Sequence, residues 1–190
     1  MFCIAYQCLI EFSKNTFGVS QNTIDIYVTQ QYNCVMIPDY ITIAGSPWPL
    51  LPPGIHDSTL HEVYARYVFN PTRQILYDGL LKGLENLFLS GCPQVFLDGS
   101  YVTSKPIPND YEVCWDMAFV DPSKLDPVFF DFDNGRHNQK KKYSGEFFPA
   151  AILEGLSGKP FLEFFQTDRY TGKQKGIVRL TNHLKKGGSI

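Results

Sequence analysis

The residues best placed to do chemistry in this chain lie between positions 99 and 112. Gly99-Ser100 is followed by a nine-residue spacer, 101–109, and then by Asp110-Tyr111-Glu112-Val113. Side chains alternate along an extended strand, so Asp110 and Glu112 are expected on one face, their Cβ atoms roughly 6.5–7 Å apart. Two carboxylates reaching across that gap can share a hard divalent cation such as Mg²⁺ or Mn²⁺. Upstream, Gln94-Val95-Phe96-Leu97 reads as a short buried strand running into Asp98-Gly99-Ser100. A Gly-Ser turn leaving a strand presents backbone N–H groups and a hydroxyl, donors suited to phosphate oxygens. A phosphate cradle beside a metal pair is equipment for moving a nucleotidyl group.

These residues resemble the signature of the nucleotidyltransferase superfamily that includes DNA polymerase beta: hydrophobic, Gly, Gly or Ser, a spacer, then acid-hydrophobic-acid-hydrophobic. Longer stretches resemble a narrower family of small, mostly bacterial, uncharacterised proteins with a nucleotidyltransferase-like core. They are residues 51–57 (LPPGIHD), 96–105 (FLDGSYVTSK), 108–116 (PNDYEVCWD), 145–150 (GEFFPA), 161–169 (FLEFFQTDR) and 175–178 (KGIV). The likeness covers roughly residues 36–181. It implies a mixed sheet flanked by helices, an α/β (α+β) nucleotidyltransferase-like fold. It also implies that Asp110 and Glu112 hold Mg²⁺ (or Mn²⁺), with a third acid on a neighbouring strand.

Glu146, opening the apolar stretch Glu146-Phe147-Phe148, is the candidate third acid and a candidate proton acceptor, because an isolated charge there is otherwise costly. Gly99 lets backbone approach phosphate, Ser100 can donate to it, and Lys105 can add a point charge. Two departures from the resemblance stand out. Glu112 replaces an Asp and is one methylene longer, and Asn109 stands where Gly is usual. The expected reaction transfers a nucleotidyl group, AMP foremost, from a nucleoside triphosphate to a hydroxyl of a protein or small molecule. The competing expectation is a catalytically silent protein-binding module of the same fold, an antitoxin-like partner. Without the resemblance, Asp110 and Glu112 read as the wet face of a half-exposed strand.

The elements that must position these groups follow from pattern. A helix over 59–69 is capped by Asp57 or Ser58, with Glu62 completing the box. A longer helix runs from Pro71 to about Leu89 and is stopped by Gly91, with Ile75, Leu76, Leu80, Leu84, Leu87 and Phe88 at helical spacing. Strands are expected at 94–98, 111–120, 146–148 and 176–180. Asn134 caps a helix to Tyr143, and Phe161, Phe164 and Phe165 share a helical face. Residues 36–57 form a Pro/Gly-rich arm, 58–184 the domain, and 185–190 a frayed tail; 1–35 read as an extension or an over-long start.

Net charge is −2 with 19% charged residues, which supplies no field for gripping long nucleic acid. The five cysteines form no C-x-x-C pair and no apolar run approaches the ~20 residues of a membrane span. A cytoplasmic, membrane-free protein is expected. Among the remaining residues, Arg73, Arg136, the 140–142 lysines, Arg169 and Lys175 are secondary candidates for phosphate contacts, and His56 reads as a loop residue with a local hydrogen bond. Trp115, Phe129, Phe130, Phe147 and Phe148 are assigned to the core.

Overall fold

The computed structural model describes residues 37–183; the expected 1–35 extension and 185–190 tail lie outside them. Five strands form one mixed sheet in the order β1-β5-β2-β3-β4. They are β1 (Gly54–Ser58), β2 (Gln94–Asp98), β3 (Glu112–Trp115), β4 (Glu146–Pro149) and β5 (Gly176–Thr181). β1 runs parallel to β5 and β3 parallel to β4, while β2 is antiparallel to both β5 and β3. Among the described residues four helices accompany the sheet: α1 (Leu60–Tyr67), α2 (Pro71–Leu89), α3 (His137–Tyr143) and α4 (Phe161–Phe165). The architecture is mixed α+β.

Local chemistry sets the boundaries. Thr59, not Asp57 or Ser58, caps α1: its hydroxyl accepts the Glu62 N–H at 3.1 Å, and the Glu62 carboxylate accepts the Thr59 N–H at 2.7 Å. Asp57 instead pairs with Arg179 across β1 and β5. Asn70 caps α2 through the Arg73 N–H at 3.0 Å, and Pro71 takes the first helical position, where a missing N–H costs nothing. Gly91, at φ +97°, closes α2 with its N–H on the Phe88 carbonyl and the Cys92 N–H on the Leu87 carbonyl.

Several expectations are corrected. The arm does not stay irregular: its last residues form edge strand β1, paired in register from Gly54–Gly176 to Ser58–Leu180. β3 stops at Trp115 rather than 120, because the Asp116 carboxylate accepts the Ala118 N–H and the Gln94 amide and turns the chain away. Asn134 does not cap α3; it lies in a 3₁₀ turn, Asp133–Gly135, and the helix begins at His137 after Arg136 in the left-handed region. Ile75 and Phe130 are solvent-facing, at 63% and 54% exposure, so neither joins the core.

Alternation along the strands divides the core into two layers. Leu97, Val113, Phe147 and Val178 pack with Leu76, Leu80, Leu84 and Leu87 of α2. On the opposite face Phe96, Cys114, Phe148 and Ile177 meet Phe161, Leu162 and Phe165 around α4. α3 and β4 come close to α2 because two glycines occupy successive turns of it. A Cβ at Gly79 would lie 2.0 Å from the Tyr143 carbonyl oxygen, and one at Gly83 would lie 2.4 Å from Phe147 Cζ. Buried Gln139 then ties α3 to β4 by accepting the Phe147 N–H at 2.7 Å. That contact fixes where α3 presents its basic side chains.

Candidate active site

Three carboxylates fall on one rung of three adjacent strands. The register pairs Asp98 of β2 with Glu112 of β3, and Glu112 with Glu146 of β4. Alternation puts all three on the α4 face, in line with Phe96, Cys114 and Phe148. Asp110 precedes β3 and joins the group through a shared cation: Lys140 Nζ lies 3.0 Å from Asp110 Oδ2 and 2.6 Å from Glu146 Oε1. The Arg136 guanidinium approaches Glu146 Oε2 at 3.1 Å and stacks over the Phe148 ring. Lys175, entering β5, holds buried Asp98 with both oxygens at 2.5 and 2.6 Å.

Glu112 is the exception among these acids. Its Oε2 is buried and has no hydrogen-bond partner among the described residues. Burial, reinforced by the charges of Asp98, Asp110 and Glu146, pushes its carboxyl up to about 8, against the pull of Lys175. Burial also raises the Asp98 carboxyl, opposed by Lys175 and the Gly99 N–H.

The Gly-Ser turn is built against that oxygen. Gly99 has φ +85°, and a Cβ there would sit 1.5 Å from Glu112 Oε2. The turn continues as a 3₁₀ helix, Ser100–Val102, with the Val102 N–H on the Gly99 carbonyl and the Thr103 N–H on the Ser100 carbonyl. Arg73 anchors it from behind. Its guanidinium donates to the carbonyls of Tyr67 (3.2 Å), Tyr101 (2.7 Å), Thr103 (3.1 Å) and Lys105 (2.6 Å). Arg73 is fully buried, so it clamps the loop and is closed to a ligand. The sequence offered it as a phosphate contact because a lone Arg on a helix carries no sign of the carbonyls that will surround it.

The structure therefore brings Asp110, Glu112, Glu146, Gly99 and Ser100 to one corner of the sheet. Lys105 contributes backbone to the Arg73 clamp, and no ion pair joins its ammonium to the acids among the described residues. Asp98 was not singled out by sequence reasoning; its place at the last position of a buried strand was the available signal. The lysine run divides three ways: Lys140 faces the acids, Lys142 pairs with Asp126, and Lys141 is exposed. Arg169 stacks on Tyr170 and donates to its hydroxyl at 2.9 Å, a bond that raises the guanidinium pKa, with the Asp110 and Glu112 charges adding to it. His56 lies on β1, its Nε2 bonded to the Pro52 carbonyl at 2.8 Å, away from the carboxylates.

Among the described residues no group of three or more His, Cys, Asp or Glu side chains is disposed to hold a metal ion as it stands. Asp98, Asp110 and Glu146 face lysine or arginine instead. The donor set still suits a hard cation, since all its atoms are carboxylate oxygens and one of them, Glu112 Oε2, is buried without a partner. Among the described residues no helix is long and apolar enough to cross a membrane.

A five-stranded mixed sheet carrying a carboxylate row beside a strand-to-turn glycine defines an α+β protein with an acidic site at one sheet corner. The chain belongs to a family of unknown function (DUF6932), whose model matches residues 44–181. No curated protein and no solved structure matches it.

Proposed function

We propose that this protein transfers a nucleotidyl group, AMP foremost, from a nucleoside triphosphate to a hydroxyl of a protein or small molecule in the cytoplasm. The observation that carries the reading is Glu112 Oε2, orphaned between Asp98 and Glu146 and pressed against the Gly99 turn. Asp110, Glu112 and Glu146 would hold Mg²⁺ or Mn²⁺, which when bound neutralises phosphate charge and favours in-line displacement. Ser100 would donate to phosphate oxygens on the turn that Gly99 opens, while the Gly99 N–H supports Asp98. The acceptor oxygen bonds to the α-phosphorus, the bond to the leaving pyrophosphate breaks, and Glu146 accepts the hydroxyl proton. Lys175 keeps Asp98 paired, and Arg73 holds the carbonyls of the loop that follows Ser100. Incubation with labelled ATP, GTP, CTP and UTP in a lysate of the source organism tests the reading. Labelled product from one of them supports it; none with any of the four contradicts it.

A second reading is favoured by one contact. Lys140 already spans Asp110 and Glu146, as an internal ion pair would in a silent, protein-binding member of the fold. In that case neither metal nor nucleotide alters the melting temperature.

A further inference from the structure

We propose that Lys140 is an exchangeable internal counter-ion that makes this site accept a divalent cation and a polyphosphate together rather than singly. The inference rests on the nucleotidyl-transfer reading and concerns how the same site is loaded.

Lys140 is the only cation touching two of the metal-binding acids among the described residues, and it reaches them from a different element. Its side chain is 41% exposed, whereas Asp110 and Glu146 are 25% and 9% exposed. The lysine is therefore the part of the contact that can swing into water, while the carboxylates stay fixed by the ends of β3 and β4. An ammonium brings one charge to oxygens that a divalent cation would serve with two. The two compete for the same lone pairs, so a cation entering alone must first expel Lys140 and leave it without a partner.

A polyphosphate changes that balance. Lys140, once released, stands next to Arg136, whose guanidinium approaches the second oxygen of Glu146. Both belong to the segment that the close contact at Gly79 holds against α2, so neither can retreat far along the backbone. A polyphosphate bound at the Gly99–Ser100 turn would give the two cations an anionic partner as the metal takes their carboxylates. Each ligand thus removes the cost of binding the other, and the coupling is reciprocal. Lys141 and Lys142 do not share this role: one is exposed and the other is committed to Asp126.

The test measures Mn²⁺ binding by the signal of the free ion, and binding of inorganic triphosphate by equilibrium dialysis. Wild type, Lys140→Met and Lys141→Met are each examined as full chains with either ligand alone and with both. Met keeps the unbranched stem and removes the charge. The wild type and Lys141→Met should bind Mn²⁺ alone weakly and gain roughly tenfold when triphosphate is present. Lys140→Met should bind Mn²⁺ alone roughly tenfold more tightly than wild type and show little further gain from triphosphate. Equal Mn²⁺ affinity in wild type and Lys140→Met overturns the counter-ion role and leaves nucleotidyl transfer standing. No Mn²⁺ binding by any form, with or without triphosphate, removes both. Should Lys140→Met fail to fold, the wild type alone decides, because equal triphosphate affinity with and without Mn²⁺ overturns the coupling.

Discussion

The Glu112 carboxylate fills the space that a methyl group at Gly99 would need, with Oε2 1.5 Å from that Cβ position. Turn and acid are thereby fitted to one another. Gly99→Ala meets two costs, the φ of +85° and the collision, and should destabilise the fold by about 2–4 kcal/mol in urea denaturation. Adding Glu112→Ala should recover part of that loss, leaving only the backbone strain of about 1 kcal/mol. If the double variant is as unstable as the sum of the two singles, the side chain is not what the glycine accommodates.

Glu112 also sets a pH dependence. Its carboxyl is raised from 4.5 to about 8, so between those values the folded protein binds a proton that the unfolded chain does not. Stability from this group is complete below about pH 4.5 and is lost as pH rises through about 8. Each pH unit in that window is worth about 1.4 kcal/mol at most. Glu112→Gln should therefore gain on wild type steadily with pH when the two are compared by urea denaturation across that window. A difference that stays constant, or falls with pH, contradicts the raised carboxyl.

Among the described residues Arg73 has four carbonyl partners and no carboxylate, so its worth lies in tying Tyr67 to the loop after β2. Arg73→Met leaves those carbonyls buried and unpaired, and should cost about 3–5 kcal/mol. A loss below about 1 kcal/mol would mean that water replaces the guanidinium and that the clamp is dispensable.

Gly79 sets the approach of α3 to α2. Gly79→Ala drives a Cβ to 2.0 Å from the Tyr143 carbonyl and should cost about 1–3 kcal/mol despite the better helix propensity of Ala. Gly155, with nothing within 4 Å, is the control, and Gly155→Ala should be near neutral. Equal stabilities for both variants would show that the helix pair is loose.

Local signals carried the elements well. Pro71, Gly91 and the spacing of Leu76, Leu80, Leu84 and Leu87 define α2 because caps and periodicity act within a few residues of each other. The strand β1 was hidden inside a Pro- and Gly-rich arm, since its stability comes from β5, more than a hundred residues away in sequence. In the site, the Gly-Ser turn and the Asp110 and Glu112 pair were legible as a spacing, and Glu146 as a charge in an apolar stretch. Asp98 and Lys175 were not paired on paper, because their contact depends on how β5 meets β2. Lys140 was hidden in a run of three lysines whose members face different neighbours only once α3 is seated.

In the proposed function, Asp110, Glu112 and Glu146 form a cation and triphosphate site on the Gly99 turn. The most direct test is the melting temperature of wild type and Asp110→Ala/Glu112→Ala with Mg²⁺ or Mn²⁺ plus each nucleoside triphosphate. At a hundredfold excess over Kd a bound pair stabilises by about 2.7 kcal/mol, several degrees for a chain of this length. The wild type should show that rise with at least one triphosphate, and the double variant should stay folded and show none. No rise with any of them, or the same rise in the double variant, would contradict the account.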